Sequence, residues 1–168
     1  MDPDRRQSLR ISNRLPFAWQ TFSAMPSEKQ LHECFADQDW PHQRLNEISD
    51  GIRMALPMLP GETRDVVKLL EEKIDVISNQ LAYNSPEERH SLNLSHDGLD
   101  FSAPHGSEID PEGYLGIHLA LPCGNLICGA KVAHCSDKKD TNQRVGLHLH
   151  LDANQSRTLS RYLLKASS

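Results

Sequence analysis

The chain has 168 residues, 38% of them hydrophobic and 24% charged, with a formal net charge of -5. That length suits one domain, or one domain plus an elaboration, with enough apolar side chains for a real core. The acidic balance argues against a general binder of nucleic acid polymers or membrane surfaces. No apolar run is long enough for membrane insertion, and Met1-Asp2-Pro3-Asp4 lacks the hydrophobic stretch of a signal peptide, so a cytoplasmic location is expected.

Basic residues gather at the start, where Arg5, Arg6, Arg10 and Arg14 lie close together in a polar, aperiodic segment. Such a segment reads as an arm that orders on a partner, or as a solvated tail. Leu15 to Phe22 then reads as a strand with Phe17 and Trp19 on one face, and Pro16 near its opening suits a strand start or an edge.

From Pro26 the period becomes helical. Ser27 and Gln30 form a capping box, and Leu31, Cys34 and Phe35 give a short helical face ending near Asp37. Leu45, Ile48, Ile52 and Leu56 repeat at helical spacing up to the break at Pro57-Met58-Leu59-Pro60-Gly61. Val67, Leu70, Ile74, Ile77 and Leu81 follow, spaced three, four, three and four, as an apolar seam of about two heptads. One fate for such a seam is packing within its own chain; the other is self-association as a dimer or a tetramer. The expectation is that these five residues form an oligomer interface.

After Pro86 the period of two returns. Leu92 and Leu94 alternate with Asn93 and Ser95, and Gly98 stands where the chain reverses into Leu99 and Phe101. Leu115, Ile117, Leu119 and Leu121 share a face, Pro122 to Asn125 is a turn, and Leu126 to Cys135 returns. Arg144 to Leu151 alternates with Val145, Leu147, Leu149 and Leu151 inward and Gly146, His148 and His150 outward. A final helix runs through Leu159, Tyr162, Leu163 and Leu164. The count is six strands in a small antiparallel barrel with a terminal helix.

Two motifs bear on function: Arg-x-x-x-Arg, from Arg6 to Arg10 with Arg5 beside it, and Asn-x-Ser-x-x-Gly, from Asn93 through Ser95 to Gly98. Together with the strands that follow, they resemble the PilZ family, the cyclic di-GMP receptor domains of bacteria. The resemblance implies a mainly β fold with α elements: a six-stranded antiparallel PilZ-like barrel from residues 1–24 and 90–168, with residues 25–89 an inserted helical oligomerisation segment. A subset of PilZ proteins carries long extra helices that assemble into tetramers, and this chain resembles that kind.

In the resemblance Arg5, Arg6 and Arg10 wrap the ligand, Asn93 and Ser95 meet a guanine edge, and Gly98 keeps the turn tight. Arginine suits this ligand because its planar fork bridges phosphate oxygens or the O6/N7 edge of guanine and stacks on a purine face. Asn93 in place of Asp loses the carboxylate's charge. The implied protein is a receptor without a cofactor that orders its arm on cyclic di-GMP and signals to a downstream protein. The alternative is an oligomeric adaptor that binds no nucleotide and acts through its helices.

Other chemistry finds less support. His118, His148 and His150 are candidates for outer strand faces, but lack an acidic or thiolate partner for a metal. Cys123 and Cys128 fit no common zinc spacing, and with Cys34 and Cys135 they read as reduced structural thiols. The chain has no nucleophile elbow, no phosphate-binding loop and no zinc-protease helix, so no catalytic residue is assigned.

Overall fold

A computed structural model describes residues 9–83, 88–104, 106–136 and 142–168. In chain order the elements are β1 (Ile11–Phe22), α1 (Glu28–Cys34), α2 (Ala36–Ala55), a 3₁₀ turn (Leu56–Met58), α3 (Gly61–Tyr83), β2 (Arg89–Leu94), β3 (Gly98–Pro104), β4 (Tyr114–Leu121), β5 (Gly124–Cys135), β6 (Asn142–His150) and α4 (Ala153–Ala166). The six strands close into an antiparallel barrel in the order β1-β2-β3-β6-β5-β4. Strand count, closure and terminal helix agree with the architecture expected from the sequence.

β1 is longer than its apolar pattern indicates, beginning at Ile11 rather than Leu15. Its first half pairs with β2, from Ile11 opposite Leu94 to Pro16 opposite Arg89. Its second half pairs with β4, from Phe17 opposite Leu119 onward. Pro16 is therefore not a strand opening. It marks the handover between two partners, a place where a missing N–H interrupts the ladder least.

Leu15, Phe17, Leu92, Leu94, Leu99, Phe101, Ile117, Leu119, Leu147 and Leu149 are all buried in the barrel core. Phe17, Trp19 and Phe101 add an aromatic cluster, with ring centroids 4.9–5.7 Å apart. α4 contributes Leu159, Tyr162 and Leu163 to the same core. Its start is fixed by a capping box between Asp152 and Gln155, and Gln155 Nε2 also donates to the Ile127 carbonyl at 2.6 Å. Asn13 Nδ2 donates to the Tyr162 hydroxyl at 2.8 Å, tying α4 to β1.

The outer face of β4 is covered as well as its inner one. His118, expected on an exposed outer face, is buried. The reason is Phe35, whose ring lies 5.9 Å from that of His118. Leu31 and Phe22 lie over Gly116, where a Cβ would collide with them. The Ser27–Gln30 capping box is present, but α1 ends at Cys34 and α2 opens immediately after Phe35 rather than the helix stopping near Asp37. Phe35 leaves helical geometry and is buried as the anchor.

Between α2 and α3, Arg64 satisfies the turn's carbonyls: its guanidinium donates to Leu56, Pro57 and Leu59. Along α3, Leu70, Ile74 and Ile77 are 54%, 46% and 46% exposed, and Val67 is half-buried. Among the described residues the stripe thus stays about half accessible within one chain. The Leu81 side chain lies outside the described ones.

Candidate ligand-binding site

The β2–β3 turn is set by alternation. Leu92 and Leu94 are buried, which turns Asn93 and Ser95 to the outer face. Ser95 N donates to the Gly98 carbonyl at 2.9 Å, and Ser95 Oγ donates to the same oxygen at 3.4 Å. A Cβ on Gly98 would lie 2.9 Å from Ser95 Oγ. Its φ is not among the positive ones, so close approach to Ser95 rather than left-handed backbone favours glycine here. Leu149 N donates to the Asp97 carbonyl at 2.7 Å and binds the turn to β6. His96 Nδ1 lies 3.4 Å from Ser160 Oγ on α4.

Register then carries the outer face across four strands. Asn93 opposes Asp100, Asp100 opposes Gly146, and His134 pairs with Gly146. In the next row Gly98 opposes His148, and His148 opposes Lys131. A cleft of about 520 Å³ lies over these rows, lined by Arg10, Asn93, Ser95, Gly98, Asp97, Asp100, His134 and His148 among others. A neighbouring cleft of about 390 Å³ contains Arg14, Ser91, Ser102 and Arg144 and shares Asn93 and Asp100.

Four of the residues singled out from sequence, Arg10, Asn93, Ser95 and Gly98, therefore meet at one cleft although Arg10 comes from the far end of the chain. Arg5 and Arg6 lie outside the described residues. Sequence reasoning missed Asp100, His134 and Gly146. Asp100 was accessible from the alternation, two residues beyond Gly98 on the same face. His134 and Gly146 depend on a register that a bulge between Val132 and His134 shifts.

The cleft is of mixed charge. Asp100 lies 3.6 Å from the Arg144 guanidinium and 3.8 Å from His134 Nε2, and Asp97 lies 3.9 Å from His148 Nδ1. The His148 and His150 rings are 5.6 Å apart. Among the described residues no group of three or more His, Cys, Asp or Glu side chains is arranged to hold a metal ion. No described helix is long and apolar enough to cross a membrane.

The sequence model of the PilZ domain matches residues 73–165, more than half of the chain. The chain belongs to the PilZ domain family. PilZ domains are cyclic di-GMP receptor domains, and they bind rather than transform their ligand. A comparison with curated proteins finds no match.

Among solved structures, this PilZ chain is similar to a pathogenic protein of Xanthomonas campestris, a tetrameric PilZ domain self-assembled through a helical bundle. The TM-score is 0.54 at 18% identity, covering 96% of this chain and 89% of that one. It is also similar to the Bacillus subtilis inhibitor of motility MotI/DgrA, with a TM-score of 0.51 at 14% identity. That alignment covers 98% of this chain and 52% of the other, so this chain spans about half its length. Identities this low establish the shared fold alone.

Proposed function

We propose that the protein is a cyclic di-GMP receptor that folds its arginine arm over the barrel and presents the changed surface to a downstream protein. The observation that supports this is the meeting of Arg10 with Asn93, Ser95 and Gly98 in one cleft. In this reading Arg10, with Arg5 and Arg6 preceding it, grips phosphates and guanine faces, and Asn93 and Ser95 bond a guanine edge. Binding energy spent on ordering the arm shifts the population between two surfaces, which a partner distinguishes.

The helices between β1 and β2 would act as a separate working part, residues 25–89 inserted into a barrel of 1–24 and 90–168, in a cytoplasmic protein. Val67, Leu70, Ile74, Ile77 and Leu81 are the proposed interface between copies of the chain. The exposed apolar stripe on α3 supports that assembly, as does the likeness to a PilZ protein that forms a tetramer through helices.

The test is isothermal titration of the full chain with cyclic di-GMP, with its mass in solution measured on the same sample. Saturable binding that Arg10→Ala abolishes establishes the receptor, and unchanged affinity in Arg10→Ala overturns this role for the arm. A second reading draws on Asp97 and Asp100, two carboxylates lining the cleft that would repel a ligand's phosphates: an adaptor that works through its helices alone. Absence of nucleotide binding, with a partner lost on Leu70→Asp, would establish that reading instead.

A further inference from the structure

Asp100 is the least exposed of the carboxylate, guanidinium and imidazole groups that approach one another around the cleft, its side chain 21% accessible against 70% for Asp97. Its contacts to Arg144 and His134, at 3.6 and 3.8 Å, are longer than hydrogen bonds. The Arg144 guanidinium offsets its charge, and at these lengths both contacts leave acceptor lone pairs for a ligand donor. Asn93 stands directly opposite on β2. On the other side, β6 carries side chains outward at Arg144 and His148 but only Gly146 between them. The floor beside Asp100 is therefore bare backbone. At present the His134 ring covers it, and any Cβ at position 146 would run into that ring. A planar nitrogen heterocycle with one nitrogen turned towards Asp100 thus already occupies the place.

Guanine presents two adjacent donors, N1–H and the N2 amine, whereas the corresponding edge of adenine has an acceptor beside a donor. A carboxylate accepts only, through two oxygens, and so matches both guanine donors at once. An amide such as Asn93 offers one acceptor oxygen, and its NH2 opposes a pair of donors.

We infer that Asp100 selects guanine: it accepts from N1–H and the N2 amine of a base seated over Gly146, beside Asn93, in the place the His134 ring now fills. The inference rests on the reading of the cleft as a cyclic di-GMP site, and it adds a specificity-determining residue that the Asn-x-Ser-x-x-Gly motif does not contain. The carboxylate absent from position 93 is supplied from the neighbouring strand, and Arg144 limits its repulsion of the ligand's phosphates.

The test titrates the full chain with cyclic di-GMP and with cyclic di-IMP, whose base lacks only the N2 amine. Wild type binds cyclic di-IMP about tenfold or more weakly, the range of a hydrogen bond to a charged group. Asp100→Asn, which preserves shape, lowers cyclic di-GMP affinity by a similar factor and binds the two ligands alike. A purely structural role for Asp100 would weaken both ligands in proportion and keep their ratio. Wild-type discrimination retained in Asp100→Asn, with binding still abolished by Arg10→Ala, overturns this inference and leaves the receptor standing. Failure of the wild-type chain to bind cyclic di-GMP overturns both.

Discussion

Asn93 and Asp100 face each other across the antiparallel β2–β3 pair, so an amide and a carboxylate stand side by side on the barrel's outer surface. Directly opposed residues bring their Cβ atoms to about 5 Å, close enough for one planar ligand edge to meet both. The pair also divides the surface, since both clefts include it. Arg10 lies in the cleft on one side, with Arg14 and Arg144 in the cleft on the other. An anion bridging the divide would have cationic groups on either hand, with acceptors between them.

Gly98→Ala tests whether the turn works through Ser95. The added Cβ would come within 2.9 Å of Ser95 Oγ, so the hydroxyl must turn away, giving up its 3.4 Å contact with the Gly98 carbonyl and its place on the cleft. The expected outcome is a loss of cyclic di-GMP affinity of about tenfold, the scale of one hydrogen bond. Ser95→Ala should cause a similar loss, and the double substitution little more than either alone. Additive losses in titration calorimetry would show that Gly98 acts independently of Ser95.

Phe35→Ala tests the cover over β4. Phe35 is buried and its ring packs on that of His118, so truncation opens a cavity above a polar ring. A loss of about 3 kcal/mol is expected, seen as a drop in melting temperature on the order of 10 °C. Ligand affinity should hold, because the cleft is built on β2, β3, β5 and β6.

Most of the barrel was legible because its strands alternate cleanly, as in β6, where Val145, Leu147 and Leu149 are buried and His148 and His150 exposed. Alternation failed where both faces are covered. β4 buries His118 and Ala120 as well as its leucines, and nothing local says that a helix from before β2 lies on them. The start of β1 escaped because Ser12, Asn13 and Arg14 are exposed, leaving only Ile11 to signal a strand. The motif residues of the site were legible; its far wall was not. His134 and Gly146 become neighbours only through a bulged register between β5 and β6, which no local pattern encodes.

Cys128 gives a pH test. Burial pushes its thiol from 9.0 up to about 12, with a smaller contribution from the charge of Asp152. The folded state thus holds the thiol proton more tightly than the unfolded chain. Its contribution is fully present below about pH 9 and is lost as pH rises through about 12, up to a limit of about 4 kcal/mol. Cys128→Ala should be less stable than wild type at neutral pH by a cavity cost, and should lose less stability on moving from pH 8.5 to 11. Denaturant unfolding at the two pH values measures the difference, and parallel losses would refute it. The wild-type thiol should also resist alkylation until the protein unfolds.

Leu70→Asp decides what covers α3. The residue is 54% exposed within one chain, and Ile74 and Ile77 beside it are 46% exposed. If the stripe remained open to water, a charge there would change stability by no more than about 0.5 kcal/mol, as at other surface sites. If the stripe is buried between copies of the chain, the same carboxylate must be desolvated in an apolar seam, at a cost of several kcal/mol per interface. Repeated by symmetry, that cost is enough to dissociate the assembly. The expected result by light scattering is an oligomeric wild type and a monomeric Leu70→Asp that keeps its fold. Cyclic di-GMP affinity per chain should be retained, because the cleft draws no residue from α3. A monomeric wild type would mean that the stripe serves some other partner, and an oligomer unaffected by Leu70→Asp would move the interface to a different surface.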